Sequence, residues 1–188
     1  MIKVGGGLVA EPGALEAVGA AIAAVGRRHR ILVVPGGGPF ADAVRAFDRS
    51  VGLSSDAAHW MAILAMDQYA HALMERIPGA ALLEEPGALA AVLGPAGVAI
   101  LAPYRWMRAA DVLPHVWQAT SDSVAAFVAG ALDADRLILV KSVDGPVEEL
   151  TDGCFASVRP VGLPCLALGW RRMGDLEAAI AGTDGAIG

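Results

Sequence analysis

The sequence has few cysteines, lysines and aromatic residues, and no apolar run long enough to span a membrane. Its two cysteines, Cys154 and Cys165, are too few for a disulfide framework and lack metal-site spacing, so we expect two small buried apolar residues. No uninterrupted apolar segment reaches the ~18 residues of a transmembrane helix. Met1-Ile2-Lys3 leads directly into a strand pattern, which predicts no signal peptide. These absences predict a cytoplasmic protein with no membrane partner.

Charge and composition narrow the class further. The formal net charge of −6 argues against a nucleic-acid backbone as the partner. The 188 residues are 55% apolar but only 5% aromatic, which favours alanine-rich helices packed closely on a sheet. A chain of this length fits one domain, or two small lobes that share a sheet.

Lysine occurs at only two positions, and each joins an apolar strand pattern to a glycine turn. Lys3 precedes Gly5-Gly6-Gly7, and Lys141 precedes Asp144-Gly145. All other permanent side-chain cations are arginines. Two compact ammonium groups beside bare backbone predict a phosphate pocket. The alternative is that strand-edge lysines are common and that two fall at such positions by chance.

Strand and helix patterns alternate along the chain. Short apolar runs predict strands at residues 2–4, 31–34, 81–83, 97–103, 136–140, 155–158 and 165–168. Apolar spacing and capping residues predict helices at 12–25, from 39, at 55–76, from 86, at 120–131 and at 175–181. This alternation predicts an α/β fold, a three-layer αβα sandwich with a mainly parallel central sheet.

Glycine turns follow three of the predicted strands, at the end where open parallel sheets collect ligands. They are Gly5-Gly6-Gly7, Gly36-Gly37-Gly38 and the turn at Asp144-Gly145. Glycine lets an oxyanion approach backbone N–H groups, and the N-terminus of a following helix adds partial positive charge. The sequence contains neither a Walker loop nor a Gly-x-Gly-x-x-Gly fingerprint. Taken singly, each run can also be an ordinary turn.

Four ordered motifs resemble those of the amino acid kinase superfamily, which includes acetylglutamate, uridylate and isopentenyl phosphate kinases. They are Lys-Val-Gly-Gly-Gly-Leu at 3–8, Pro-Gly-Gly-Gly-Pro-Phe at 35–40, Thr-Ser-Asp-Ser-Val-Ala at 120–125 and Val-Lys-Ser-Val-Asp-Gly at 140–145. The stretch His-Trp-Met-Ala-Ile-Leu-Ala-Met-Asp-Gln-Tyr at 59–69 resembles the archaeal-type kinases of methanofuran biosynthesis, which convert an aminomethylfuran methyl phosphate to its diphosphate. Residues 103–107 followed by Trp117 indicate the same branch.

The resemblance implies a small-molecule kinase that uses ATP and Mg²⁺, and it implies roles for particular residues. Lys3 would contact the transferring phosphoryl group, Lys141 would contact the nucleotide phosphates, and Asp122 would hold both ammonium groups in place. Further contacts to the nucleotide phosphates would come from Gly5, Gly6, Gly7, Ser142, Asp144 and Gly145. Contacts to the acceptor would come from Gly36, Gly37, Gly38, His59, Arg105, Thr120 and Ser121. No side chain is assigned to a metal.

Two of these assignments have alternatives that the residues alone leave open. Asp122 also fits as a helix N-terminal carboxylate that accepts hydrogen bonds from backbone N–H groups. His59 begins the long helix, where it suits either substrate contact or packing. The other histidines, His29, His71 and His115, are interpreted as surface or helix-end residues.

The predicted organisation is a single domain over residues 1–188, with an acceptor-binding part at about 1–120 and a shortened nucleotide-binding part at about 121–188. The chain departs from the family pattern by having Gly7 where many members have serine, and by having no lysine after Lys141. Only 188 − 145 = 43 residues follow Gly145. Arg171 and Arg172 suit either phosphate clamps or solvated surface.

These departures keep a second function open. The alternative is a non-catalytic small-molecule-binding protein, or a structural subunit, that has the same fold and a degenerate nucleotide lobe. We also expect a homo-oligomer, because the apolar side chains of the helix at 59–69 suit either the core or a subunit face.

Overall fold

The computed structural model describes residues 1–182 of the chain. Its strands are β1 (Ile2–Val4), β2 (Arg30–Pro35), β3 (Ala81–Leu83), β4 (Gly97–Leu101), β5 (Leu137–Lys141) and β6 (Cys165–Gly169). Its α-helices are α1 (Ala14–Gly26), α2 (Gly38–Val51), α3 (Ser55–Met74), α4 (Leu89–Leu93), α5 (Tyr104–Ala110), α6 (Ser121–Ala131), α7 (Val147–Leu150), α8 (Phe155–Val158) and α9 (Leu176–Ala181). Short 3-10 helices lie at Gly6–Ala10, Pro86–Ala88 and Trp170–Asp175. The last residues of the predicted domain, 183–188, lie outside the described part.

The strands of this part form one sheet in the order β3-β4-β2-β1-β5-β6, and every pairing is parallel. One apolar cluster packs Ile2 and Val4 against α1 and α9, and a second packs Val34 and Leu139 against α6. The predicted α/β sandwich is confirmed. Because the strands are parallel, their carboxyl ends lie together at one edge of the sheet, where ligands bind in such folds.

Strand register turns both lysines toward the same face. β1 lies between β2 and β5, so that Lys3 is opposite Val34 on one side and Leu139 on the other. Side chains alternate along a strand. Ile2 and Val4 therefore pack on the α1 side while Lys3 faces α6. Lys141 follows Leu139 by two positions and shares that face.

Residues 155–158 form helix α8, so the predicted strand there is wrong. The Arg159 N–H donates to the Phe155 carbonyl at 2.9 Å, and the Cys154 N–H donates to Asp152 Oδ1 at 3.0 Å. A four-residue apolar run fits a helical turn as well as a strand. Phe155 is 3% exposed and packs into the second cluster as a single anchor. The sequence pattern also gives no prediction of helices α5 and α7.

Both cysteines are only partly buried, so the prediction of two buried residues is too strong. Burial nevertheless raises the pKa of the Cys165 thiol to about 11. In residues 1–182, no helix is both long enough and apolar enough to cross a bilayer.

Side-chain caps begin the two helices that approach the strand ends. Ser54 Oγ accepts from the Ala57 N–H at 3.2 Å before α3, and Thr120 Oγ1 accepts from the Asp122 N–H at 3.4 Å before α6. The Asp152 carboxylate also accepts from the Thr120 N–H, at 3.0 Å. Because Thr120 and Asp152 satisfy N–H groups at the start of α6, the Asp122 side chain is not needed as a cap.

His115 fixes the segment between α5 and α6 (residues 111–120) against α3. Its Nδ1 lies 2.6 Å from Asp56 Oδ1, and its Nε2 lies 2.9 Å from Asp111 Oδ1. The buried imidazole of His59 stacks on it, with 4.1 Å between ring centroids. The surface interpretation of His115 is therefore incomplete, because this side chain bridges two elements.

The two stacked histidines have pKa values shifted in opposite directions. The hydrogen bond to Asp56 is the largest cause that raises the pKa of His115, and Asp111 adds to it. Burial lowers the pKa of His59 to about 4, and the positive charge of His115 contributes to that shift. At neutral pH the His59 imidazole is therefore uncharged.

We expect an NMR titration to resolve this pair. The His115 midpoint should lie above the ordinary histidine pKa of about 6.5, and the His59 midpoint should lie near 4. In His115→Gln the His59 midpoint should rise but stay below about 6.5, because burial, the larger cause, remains. His71→Gln, at an exposed position of α3, is the control and should leave His59 unchanged. An equal His59 midpoint in wild type and His115→Gln would contradict an electrostatic coupling between the two histidines.

The same shifts give opposite pH dependences of stability. The contribution of His115 is present below about 6.5 and is lost as the pH rises through its raised folded-state pKa. For His59, the unfolded chain binds the proton more readily, so the folded protein loses stability as the pH falls from about 6.5 towards 4. In urea unfolding, the free energy of unfolding of wild type should fall more steeply on acidification than that of His59→Phe. Parallel pH dependences in the two proteins would contradict this expectation.

Candidate functional site

Three ionisable side chains, two of them buried and one partly buried, meet at the carboxyl ends of β1 and β5. The Lys3 ammonium lies 2.8 Å from Asp122 Oδ1, and the Lys141 ammonium lies 2.8 Å from Asp122 Oδ2. Lys141 also donates to the Leu150 carbonyl at 2.6 Å. Lys3 is 4% exposed and Asp122 is 5% exposed. The structure brings these three residues together, and the capping interpretation of Asp122 is wrong because its carboxylate pairs with lysines.

With both amines protonated, this cluster (Lys3, Asp122 and Lys141) carries two positive charges and one negative charge. Burial lowers the pKa of Lys3; Asp122 opposes that shift and Lys141 adds to it. Burial alone would raise the pKa of Asp122, but the two ammonium groups outweigh it and hold the pKa below the ordinary value. An ammonium has three N–H donors, Asp122 forms the one side-chain ion pair of Lys3 within residues 1–182, and Asp152 adds a smaller electrostatic attraction. The cluster is therefore suited to an additional anion.

A cavity of about 570 Å³ opens at the same edge of the sheet. Ser121 lines this cavity, and the next residue, Asp122, holds the two lysines. The predicted site residues that line it are Gly6, Gly7, Gly37, Gly38, His59, Thr120 and Ser121. Its volume is that of a typical small-molecule site, about 300–1,000 Å³.

Close packing of the glycine turns after β1 and β2 explains part of their composition. A Cβ on Gly6 would collide with the Gly38 backbone, and a Cβ on Gly36 would collide with the Gly6 backbone. Gly38 has φ +53°, in the left-handed region that favours glycine. Gly37 does not share that conformation, since its φ is −84°, and a Cβ there would strike Ala41. Gly7 differs from all of these, because no neighbouring atom would meet its Cβ within 4 Å.

The backbone N–H groups of these turns fall into two sets. The Gly5 N–H donates to the Val140 carbonyl at 2.9 Å, and the Gly36 N–H donates to the Val4 carbonyl at 2.8 Å, so both extend the sheet. The first N–H groups of α2, which begins at Gly38, have no acceptor within the helix. Such groups, at the positive end of the helix dipole, are suited to bind an anion in the cavity.

Arg45 and Trp117 form another part of the cavity wall. The Arg45 Cζ lies 4.9 Å from the Trp117 ring centroid, and Arg45 Nη1 lies 3.3 Å from Asp42 Oδ1. The indole Nε1 donates to Asp48 Oδ2 at 2.8 Å. Sequence reasoning missed Asp42, Arg45 and Asp48, although their spacing of three residues on α2 places them on one helix face.

The turn after β5, with Ser142, Asp144 and Gly145, lies outside this cavity. Asp144 Oδ1 accepts from the Gly169 N–H at 2.9 Å and lies 3.6 Å from Arg172 Nη1. The turn is thereby tied to the end of β6. Arg172 also pairs with Asp175 at 2.9 Å and Arg171 with Glu11 at 3.4 Å, and both arginines are exposed.

Arg105 does not join the predicted acceptor residues. It lies on α5, exposed, and its Nη2 lies 2.8 Å from Glu85 Oε1. Arg105 is predicted from the stretch 103–107, where the sequence pattern predicts no helix, and α5 directs it away from the cavity. Arg45 is the arginine that lines the cavity instead.

Comparisons with known proteins identify the family and the fold of this chain. The sequence profile of the amino acid kinase family matches residues 1–145. A curated relative, (5-(aminomethyl)furan-3-yl)methyl phosphate kinase of Methanocaldococcus jannaschii, is 29% identical over 129 residues, which cover 69% of this chain and 59% of the relative. The chain therefore spans about three-fifths of that relative's length.

A solved structure shares the fold. Uridylate kinase from Archaeoglobus fulgidus superposes with a TM-score of 0.58 at 22% identity, over 77% of this chain and 64% of that one. The profile match, which includes Lys3, both glycine turns, Asp122 and Lys141, covers most of the sequence. The chain therefore belongs to the amino acid kinase family.

Proposed function

We propose that this protein transfers the γ-phosphoryl group of ATP to a small phosphorylated or carboxylated metabolite. The observation that carries the proposal is the buried Lys3 ammonium, which shares its carboxylate partner with Lys141. Excess buried charge is costly unless a partner joins it. A phosphoryl group supplies the missing negative charge, and membership of a kinase family supports the same reaction.

In the proposed reaction, an acceptor oxygen forms a bond to the γ-phosphorus while the bond to the β–γ bridging oxygen breaks and ADP leaves. Lys3 neutralises charge on the transferring group, Lys141 contacts the nucleotide phosphates, and Asp122 fixes both ammonium groups. The N–H groups of Gly6, Gly7 and the first turn of α2 donate to phosphate oxygens. Phosphoryl transfer depends on this kind of positioning and neutralisation more than on a covalent catalyst.

The proposed division of the domain puts the acceptor against residues of about 1–120 and the nucleotide against about 121–188. Ser142, Asp144 and Gly145 would contact the nucleotide beside β6. Gly5 and Gly36 would act through backbone shape, since their N–H groups bond within the sheet.

The acceptor that we favour is an aminomethylfuran methyl phosphate, as in methanofuran biosynthesis. Support comes from the name of the 29% identical relative and from a cavity of suitable volume. A cytoplasmic location and a homo-oligomer stay predictions. The exposed apolar side chains of Phe47 and Val51 on α2 are consistent with a homo-oligomer, and a native mass measurement tests that prediction.

The residues present do not fit a resident Mg²⁺. Within residues 1–182 there is no group of three or more His, Cys, Asp or Glu side chains that could hold a metal ion. Both oxygens of Asp122 already pair with ammonium groups. Mg²⁺ is commonly held by substrate phosphates with few protein ligands, so we assign it to the nucleotide and no step to a protein-bound metal.

Two substitutions in the cluster should have opposite effects on stability. Lys3→Met leaves Asp122 paired with Lys141, so the free energy of unfolding should be unchanged or higher. Turnover should fall at least ~100-fold, because the transferring group loses its cation. Asp122→Asn leaves two buried ammonium groups without a carboxylate. Its free energy of unfolding should fall by about 3–5 kcal/mol. Steady-state kinetics with ATP and urea unfolding measure the two effects.

Arg27→Met, which removes an exposed cation after α1, is the control for these variants and should change neither quantity. A folded Lys3→Met protein with near-normal transfer would overturn the assignment of Lys3. Wild-type protein that binds ATP without transferring its phosphoryl group would support the non-catalytic alternative.

Gly7→Ala tests whether the first glycine turn binds phosphate. The new methyl group meets no protein atom within 4 Å, so stability should be nearly unchanged, but the methyl occupies space where an oxyanion would approach the backbone. Calorimetry should show binding of ATP or of a phosphorylated acceptor weakened about 10-fold or more. Gly174→Ala is a matched control, since Gly174 also lies in a 3-10 helix with open space and does not line the cavity. If Gly7→Ala and Gly174→Ala bind these ligands with equal affinity, the Gly7 turn has only a structural role.

A further inference from the structure

Arg45 lines the cavity but has no part in the cluster of Lys3, Asp122 and Lys141. Among the lining side chains of residues 1–182 it is the one permanent cation. Its partner Asp42 lies three residues earlier on α2, nearer the glycine turn at Gly38. Helical side chains lean toward the N-terminus of their helix, so the guanidinium is directed toward the glycine end of the cavity.

Trp117 holds the guanidinium in place. The ring lies 4.9 Å from Arg45 Cζ and is itself fixed by the 2.8 Å hydrogen bond from its Nε1 to Asp48 Oδ2. Asp48 is fixed in turn, because its Oδ1 accepts from the Leu53 N–H at 2.9 Å. A guanidinium that is already stacked loses less conformational freedom when it binds a ligand.

The existing ion pair leaves most of the Arg45 donors available. The Asp42 side chain is 75% exposed and the Arg45 side chain 38% exposed, so solvent screens their interaction. A guanidinium has five N–H donors in a planar fork that matches phosphate and carboxylate oxygens. Asp42, at 3.3 Å, engages Nη1 alone.

We propose that Arg45 binds the oxyanion of the acceptor, the phosphate or carboxylate that receives the phosphoryl group, and thereby selects anionic acceptors over neutral alcohols. The inference rests on the proposed function. In this proposal Lys3 neutralises the negative charge of the transferring phosphoryl group, and Arg45 neutralises that of the acceptor. A neutral alcohol offers the guanidinium no counter-charge and should bind weakly.

Calorimetric titration without ATP tests this directly. Arg45→Met should weaken binding of (5-(aminomethyl)furan-3-yl)methyl phosphate about 10- to 100-fold, because charge-assisted hydrogen bonds are lost. Arg45→Lys should weaken it less, since the charge remains without the planar fork. ADP affinity should be unchanged in both. Arg49→Met removes an exposed arginine one turn further along α2, outside the cavity, and should leave both affinities at the wild-type level.

Three further probes define the ligand chemistry. Wild type should bind the phosphorylated furan more tightly than its dephosphorylated alcohol, and Arg45→Met should reduce that preference. Competition by inorganic phosphate or by acetate then distinguishes a phosphate-bearing acceptor from a carboxylate-bearing one. Failure of wild type to prefer any anionic probe over the alcohol overturns the inference.

Equal acceptor affinity in wild type and Arg45→Met also overturns it. A parallel loss of acceptor binding, ADP binding and free energy of unfolding does the same, because that pattern belongs to a structural clamp between Trp117 and α2. These titrations need no turnover. An Arg45-dependent acceptor affinity in a protein that transfers no phosphoryl group would therefore support this inference while overturning the proposed function.

Discussion

Two ammonium groups share one carboxylate in a place that water hardly reaches, and much of the surrounding structure keeps them there. Register between β1 and β5 turns Lys3 and Lys141 to the same face. On the facing helix, Ala125 and Ala126 are fully buried, and such small side chains allow α6 to lie close to the sheet. Thr120 and Asp152 bond to N–H groups at the start of α6, which leaves the Asp122 carboxylate for the lysines.

The sequence predicts the sheet from local patterns, whereas the place of Asp122 between the two lysines is implied only by the family resemblance. Apolar runs and glycine turns suffice to put Lys3 and Lys141 at strand ends, but the pairing of β1 with β5 comes from the structure. The failed prediction at 155–158 is also local, since four residues contain no periodicity that distinguishes a strand from a helical turn. The prediction of Arg105 rests on the resemblance alone, and the position of this residue on α5 places it beside Glu85.

The cavity wall could not be predicted in the same way, because its contacts join residues that are far apart in sequence. Trp117 bonds to Asp48, 69 positions away, and His115 to Asp56, 59 positions away. No short window of sequence contains both partners of either pair. Only the spacing of Asp42, Arg45 and Asp48 on α2 is a local signal, and it indicates a shared helix face without indicating what that face meets.

The packing of the two glycine turns also restricts how the site can move. Gly6 lies against the backbone of Gly36 and Gly38. The Tyr69 ring packs close to Gly38, and its hydroxyl lies 3.5 Å from the Gly5 carbonyl, so Tyr69 contacts both turns. The ends of β1 and β2 are therefore in direct backbone contact, with no side chain between them. The segment 111–120 is held against α2 and α3 through side chains instead, by the hydrogen bonds that join Trp117 to Asp48 and His115 to Asp56. One part of the cavity wall is therefore built from backbone in direct contact and another from side-chain hydrogen bonds, so a point substitution can reshape the second part without disturbing the strand ends.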